Sequence, residues 1–235
     1  MPDELENKKK IEKELEKELE KQKEELISSL VKQCALKSKC VIEAFRNLPR
    51  HKFVTDDYVN SAYMDIALPI IKNSTISQPY TVAVMTEALQ PAAGDKILEI
   101  GSGSGWQACL LAACVGSSGS VVSIEIDKDV HEFAKKNVSK LGIKNVKLLV
   151  SDGSVGCEKF APYDKIIFTC ATPEIPQPFI EQLNVGGRIV APVGSVANQR
   201  MLLIKKTGEG KLEQEEIEDV SFIFVPLTGK YGYKE

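Results

Sequence analysis

Residues 97–106 read Ile97-Leu98-Glu99-Ile100-Gly101-Ser102-Gly103-Ser104-Gly105-Trp106. An apolar run carries one carboxylate near its end, three glycines follow within five residues, and Trp106 opens a second apolar segment. This order predicts a strand, a tight turn and a helix. In a doubly wound sheet, ligands sit just beyond the carboxyl ends of the strands, and glycines there let the backbone approach them closely. A plain strand–helix turn without a ligand has little use for so many glycines.

On the C-terminal side, β-branched runs alternate with amphipathic segments. Strands are expected at Lys96–Ile100, Val121–Ile126, Val146–Val150, Lys165–Thr169 and Arg188–Pro192, with helices at about Trp106–Val115, Val130–Leu141 and Gln177–Leu183. Such alternation implies a parallel sheet covered on both faces. Met201–Lys205 and Val220–Val225 have no helix between them and suit an antiparallel addition at one edge. The expected fold is α/β: a doubly wound, mostly parallel, seven-stranded Rossmann-like sheet with N-terminal helices.

On the N-terminal side, a helix is expected from about Gln78 to Leu89, with Ser77 well placed as its N-cap. Residues 61–80 read as irregular, and residues 26–60 as a helical region broken by Pro49. Residues 3–25 are nearly all Glu and Lys, with Leu5, Ile11, Leu15 and Leu19 interspersed. Pairs such as Glu14–Lys17 and Glu18–Lys21 would support a helix. The stripe is too short for a coiled coil, so a solvated helix resting on the domain is expected. The domain reading is a charged arm over 1–25 and one domain over 26–235. That domain divides into a helical and loop part (26–94), a ligand-binding core (95–195) and edge strands (196–235).

A chain of 235 residues, 43% hydrophobic and 27% charged, suits one well-buried domain. A net charge of −3 provides no global field for nucleic acid or an anionic membrane, and neither partner is expected. No stretch approaches the ~20 apolar residues of a membrane helix. The six cysteines form no C-x-x-C pair and only His51 and His131 accompany them, so no metal site is expected. Their apolar settings suggest buried thiols in a reducing, cytoplasmic compartment. A monomer is expected.

The ligand can be narrowed. A dinucleotide turn usually reads G-x-G-x-x-G and places a pyrophosphate on the helix N-terminus. Here the spacing is G-x-G-x-G, and Glu99 stands two residues before the first glycine. Its carboxylate would repel a pyrophosphate but suits S-adenosylmethionine, which carries a sulfonium and an α-ammonium and no phosphate. Glu125, in Ser123-Ile124-Glu125-Ile126-Asp127, stands where a carboxylate accepts hydrogen bonds from ribose hydroxyls. Asp152, in Val150-Ser151-Asp152-Gly153, could receive an adenine amino group or merely cap a turn. Together these strand ends resemble the class I S-adenosylmethionine-dependent methyltransferases over residues 95–195.

Several methyl acceptors can be argued down. The site after the fourth strand reads Phe168-Thr169-Cys170-Ala171-Thr172-Pro173, without the Asn/Asp-Pro-Pro-aromatic motif of amino-methylating nucleic-acid enzymes. No cysteine follows a proline, as cytosine C5 methylation needs. A weakly acidic hydroxyl would call for a base or a metal, and neither stands out. A carboxylate with pKa near ~4 is already ionised at neutral pH and needs only to be positioned.

Leu68-Pro69-Ile70, then Thr75-Ile76-Ser77-Gln78-Pro79, then the Glu99–Gly105 turn resemble the protein-L-isoaspartate O-methyltransferases. So do Ser151-Asp152-Gly153, Ala161-Pro162-Tyr163-Asp164, Pro173-Glu174-Ile175-Pro176, Gly186-Gly187-Arg188, Ala191-Pro192-Val193-Gly194 and Val225-Pro226-Leu227-Thr228. The resemblance runs from about residue 48 onward. It implies methyl esterification of the α-carboxyl of L-isoaspartyl residues, with S-adenosyl-L-homocysteine as product. It also implies that Ser77 is the active-site hydroxyl and that Ser74, Thr75 and Ile76 line the methionine side of the cofactor. Glu99, Gly101, Ser102 and Gly103 would form the cofactor turn, Glu125 would bind ribose, Asp152 and Gly153 adenine, and Thr228 would close the site. Two features depart from the family. Ile71-Lys72-Asn73-Ser74 replaces a Gly-x-Gly-Gln-like stretch, with Asn73 able to hold a turn of positive φ, and the first 25 residues match nothing in the family. A methyltransferase with another acceptor and a non-catalytic interaction protein are the alternatives.

Overall fold

The computed structural model describes residues 2–217 and 222–234. Helices α1 (Pro2–Lys32) and α2 (Lys39–Asn47) precede a small hairpin, β1 (Leu68–Pro69) and β2 (Thr75–Ile76). Helix α3 (Pro79–Leu89) leads into β3 (Lys96–Ile100), α4 (Trp106–Val115), β4 (Ser120–Glu125), α5 (Lys128–Lys140) and β5 (Val146–Val150). Then come β6 (Tyr163–Phe168), α6 (Gln177–Gln182), β7 (Leu183–Ser195), β8 (Asn198–Gly208) and β9 (Lys211–Glu216).

Seven strands make one sheet in the order β5-β4-β3-β6-β7-β8-β9. The first four pairings are parallel and the last two antiparallel. This is the doubly wound sheet expected from the alternation. Strand order reverses at β3, which pairs with β4 on one side and β6 on the other. Such a switch point opens a crevice at the carboxyl ends of the strands, and Glu99 with the glycine turn stands there. Ile97, Leu98 and Ile100 of β3 are fully buried, as a central parallel strand demands. All residues of α4 except Ala113 are buried, because α4 is apolar all round and packs between the sheet and α2.

Three expectations are corrected. The seventh strand is Lys211–Glu216 and not the run at Val220–Val225. All six side chains of β9 are exposed, so this edge strand carries no apolar alternation to read. Residues 220 and 221 lie outside the described residues, and Phe222 forms only an isolated bridge with Gln199. The ion pairs Glu14–Lys17 and Glu18–Lys21 do not form; Glu18 accepts instead from Gln22, and Lys23 pairs with Glu20 at 2.8 Å. Finally, α1 does not stop at residue 25. Leu19, Leu26, Ile27 and Leu30 are buried in the domain, whereas Ile11 is 58% and Leu15 39% exposed. The side chain of Leu5 lies outside what is described. Among the described residues no helix is long and apolar enough to cross a membrane.

Candidate active site

A cavity of about 380 Å³ opens at the switch point, a size suited to a small organic ligand. Its floor is the carboxyl ends of β3 and β4, with Glu99, Gly101, Ser102, Gly103 and Glu125. Ser74, Thr75, Ile76 and Ser77 form one wall, on the hairpin and the approach to α3. Phe222 to Thr228 form another, and Gly153 lines the side near β4.

The turn after β3 needs its glycines. Gly101 has φ +96°, and a Cβ there would stand 2.6 Å from Thr169 Oγ1. That hydroxyl is pinned, since it donates to the Ile100 carbonyl at 2.9 Å. Gly101→Ala therefore combines a left-handed backbone with a clash against a fixed atom. We expect a stability loss of at least about 2 kcal/mol, measurable by denaturant unfolding. An alanine variant of unchanged stability would show that the turn is not held by Thr169.

Glu99 is fully buried. Its Oε2 accepts from Ser123 Oγ, which in turn lies 2.6 Å from Ser102 Oγ. Because the Ser123 proton goes to Glu99, Ser102 donates to Ser123. The other oxygen, Oε1, is buried with no partner among the described residues. Burial pushes this carboxyl up to about 8; the Ser123 hydrogen bond opposes the shift and the nearby Glu125 charge adds to it. An uncompensated carboxylate on a cavity floor favours a cationic ligand group. The ammonium and sulfonium of S-adenosylmethionine fit that demand, and a pyrophosphate does not.

Glu125 is fixed by backbone amides. Oε2 accepts from Gly103 N at 3.1 Å, and Oε1 from Ile126 N at 2.9 Å and Asp127 N at 3.2 Å. Oε1 has both lone pairs engaged, and Oε2 keeps one for a hydroxyl in the cavity. Glu125→Ala should weaken cofactor affinity by roughly tenfold or more, the worth of a hydrogen bond to a charged group. Unchanged affinity in calorimetry would remove the ribose assignment.

The hairpin turn is Ile71-Lys72-Asn73-Ser74. Lys72 and Asn73 both have positive φ, at 53° and 60°, and Ser74 N donates to Ile71 O at 2.9 Å. This is a two-residue turn of the kind that matches strand twist, and Asn73 serves it without glycine. Lys72 Nζ lies 2.9 Å from Asp129 on α5, tying the hairpin to the rim beside β4. The N-cap of α3 is Gln78 and not Ser77, because Pro79 takes the first helical position, which it fits by its fixed φ and missing N–H. Ser77 is thereby released from capping. Its hydroxyl has no partner among the described residues, and the residue lines the cavity.

Asp152 stands apart from the other expected site residues, for it is not on the cavity wall. Its Oδ1 accepts from Ser154 N at 2.8 Å and its Oδ2 from Lys230 N at 2.9 Å. Tyr231 N donates to Ser154 Oγ at 3.0 Å. The carboxylate caps its own short turn and clasps the segment that carries Thr228. Burial works to raise this carboxyl, but the bonds from Ser154 and Lys230 outweigh it and hold it below the usual range.

Other wall residues had no assignment from sequence. Thr169 and Cys170 follow β6, the neighbour of β3 at the switch point, so the strand-end rule could have found them. Phe222 to Leu227 carry no polar signature that marks a wall. Arg50 lies behind the site, bonded to the carbonyls of Ile76 and Ser77.

The chain matches the family model for protein-L-isoaspartate(D-aspartate) O-methyltransferase over residues 21–232. A protein-L-isoaspartate O-methyltransferase of Methanospirillum hungatei is 44% identical over 90% of this chain and 95% of its own length. One of Archaeoglobus fulgidus is 45% identical over 89% of this chain and 94% of its own. A solved protein-L-isoaspartate O-methyltransferase superposes with a TM-score of 0.81 at 34% identity, covering 89% of this chain and 67% of that one. A Plasmodium falciparum structure, solved in complex with S-adenosyl-L-homocysteine, shares the fold with a TM-score of 0.75 at 21% identity, over 87% of this chain and 97% of that one.

Proposed function

The chain belongs to the protein-L-isoaspartate(D-aspartate) O-methyltransferase family, and from that membership we propose how the residues around the cavity divide the work. The reaction is methyl esterification of the α-carboxyl of L-isoaspartyl residues in damaged proteins and peptides, with S-adenosylmethionine as donor. The ester then collapses without further catalysis to a succinimide that reopens partly to aspartate.

S-adenosylmethionine, when bound, supplies a methyl group activated by a sulfonium. Glu99 receives its cationic end, within the turn of Gly101, Ser102 and Gly103. Glu125 holds the ribose hydroxyls. Gly153 backs the adenine, with Asp152 behind it keeping the Thr228 segment in place. Ser74, Thr75 and Ile76 line the methionine side. Ser77 donates its free hydroxyl to the acceptor carboxylate and orients one oxygen towards the methyl group. No base is required, since the acceptor is ionised at neutral pH. Attack joins a negative to a positive charge and leaves neutral products, so walls that exclude water favour it. The chain's task is to hold two reactants in near-attack geometry.

One observation carries this reading: Glu99 with an unpartnered buried oxygen and Ser77 with an unpartnered hydroxyl, both so among the described residues, line the same cavity. The test is methyl transfer from labelled S-adenosylmethionine to two peptides that differ only in isoaspartate versus aspartate. Base-labile label on the isoaspartyl peptide alone is expected. Label on both, or on neither with cofactor bound, would overturn the acceptor assignment.

The same reading has one methyltransferase domain, expected over residues 26–235 and taking in α1 from Leu19 onward, behind a charged N-terminal arm, as a monomer in the cytoplasm. All six cysteines are unpaired, which suits a reducing compartment. A dimer mass by light scattering would exclude the monomer.

A further inference from the structure

Arg50 is 1% exposed. Its guanidinium donates to four backbone carbonyls: Nη1 to Ala62, and Nη2 to Ser77 at 3.0 Å, Ile66 at 3.1 Å and Ile76 at 3.4 Å. The guanidinium carbon lies 5.4 Å from the centroid of the Trp106 ring. Trp106 Nε1 donates back to the Leu48 carbonyl at 3.2 Å. Asp65, the carboxylate whose charge Arg50 feels, accepts from Tyr80 N at 2.8 Å and makes no ion pair with Arg50 among the described residues.

Burying an unpaired cation is costly, and apolar side chains would brace two loops with no such cost. What an apolar group cannot do is hold specific carbonyls. Two of the four belong to Ile76 and Ser77, on the wall opposite the cofactor turn. The Trp106 ring belongs to the first residue of α4, directly after that turn. One planar group therefore touches both the acceptor side and the cofactor side of the cavity.

We infer that Arg50 is a positioning residue for methyl transfer: it fixes the Ser77 backbone against the cofactor helix and so sets the distance between the acceptor and the methyl donor. The inference rests on Ser77 being the acceptor-orienting hydroxyl. Lysine cannot substitute, because an ammonium is a point donor without the flat fork that spans four carbonyls and lies over an indole. Displacement of the acceptor by about 1 Å lowers turnover by about 10²-fold, while Glu99 and Glu125, which are held by Ser123 and by backbone amides and not by Arg50, keep the main polar hold on the cofactor.

The test is a double-mutant cycle of Arg50→Lys and Ser77→Ala. It reads kcat and KM for an isoaspartyl peptide and, by calorimetry, Kd for S-adenosyl-L-homocysteine. Arg50→Lys alone should lower kcat by about 10- to 100-fold and leave that Kd within about twofold. In the Ser77→Ala background the same change should cost less than about threefold, because the two residues act through one contact. Equal losses in both backgrounds, or a Kd that weakens in step with kcat, would overturn the inference and leave Arg50 a general stabiliser. Ser77→Ala at full turnover would instead remove the reading of Ser77 itself and this inference with it. If circular dichroism shows Arg50→Lys unfolded, Arg50→Gln, which retains a planar N–H donor, takes its place in the cycle with the same expectations.

Discussion

Glu99→Gln is expected to weaken S-adenosylmethionine binding by about 10²-fold, the equivalent of roughly 2–3 kcal/mol for a buried hydrogen bond to a charged group. The neutral amide can still accept from Ser123, but it then turns an N–H towards the ligand's cation. The pH dependence gives the sign independently. With the empty site's carboxyl at about 8, Glu99 is mostly neutral at pH 7 and must lose its proton to meet a cation. Affinity should therefore rise about tenfold per unit of pH on approaching 8 and level off above it. Close to one proton should be released on binding at pH 7, read by calorimetry in two buffers of different ionisation heat. Glutamine should abolish both the release and the slope. The stability of the empty protein moves the other way. A carboxyl raised above its unfolded value of 4.5 contributes stability that is present at low pH and lost as pH climbs through 8. Glu99→Gln should consequently melt higher than the parent at pH 8.5 when no ligand is present. Binding that is independent of pH between 6.5 and 8.5 would sink the assignment of Glu99 to the cation.

Ser77→Ala should lower kcat by about 10²-fold while cofactor affinity holds. The acceptor is already ionised, so the hydroxyl's contribution is orientation and stabilisation of the reacting carboxylate, and loss of one such donor costs on this scale. The wall around it should persist, because the Ser77 carbonyl and not its side chain accepts from Arg50. The discriminating measurement is kcat for the peptide beside Kd for S-adenosyl-L-homocysteine. Proportionate losses in both would mean that Ser77 shapes the cavity as a whole.

The central strand β3 was legible because it is buried on both faces, and its parallel neighbours because their apolar runs alternate with helices. Lys96–Ile100 and Val146–Val150 fall where the β-branched runs placed them, and α4 where its apolar run did. The antiparallel edge was not legible. Lys211-Leu212-Glu213-Gln214-Glu215-Glu216 faces solvent throughout, and pairing with β8 through the backbone leaves no mark on side-chain pattern. The site shows the same division. Glu99, Glu125 and the glycines could be found because their place follows from a strand end and a turn. Ser77 could be marked, but its role as a cap could not be judged without seeing that Pro79 begins the helix. Asp152 offered two readings, and only the position of Lys230, far along the chain, showed its carboxylate occupied on both oxygens. Arg50 was beyond reach of pattern altogether: its partners are carbonyls, which every residue has, in segments 12 to 27 residues away.

The long first helix has a hydrodynamic consequence. Side chains from Lys9 to Glu18 are exposed, and among the described side chains the first to be buried along α1 is Leu19. With ~1.5 Å of rise per residue, the fourteen residues from Pro2 to Leu15 make a spur of about 21 Å. A rod of that length on a domain of this size adds friction out of proportion to its mass. A single chain should elute from a sizing column ahead of a globular standard of 25.8 kDa. Removing the spur should bring the elution volume back towards that of a sphere without any change in subunit number.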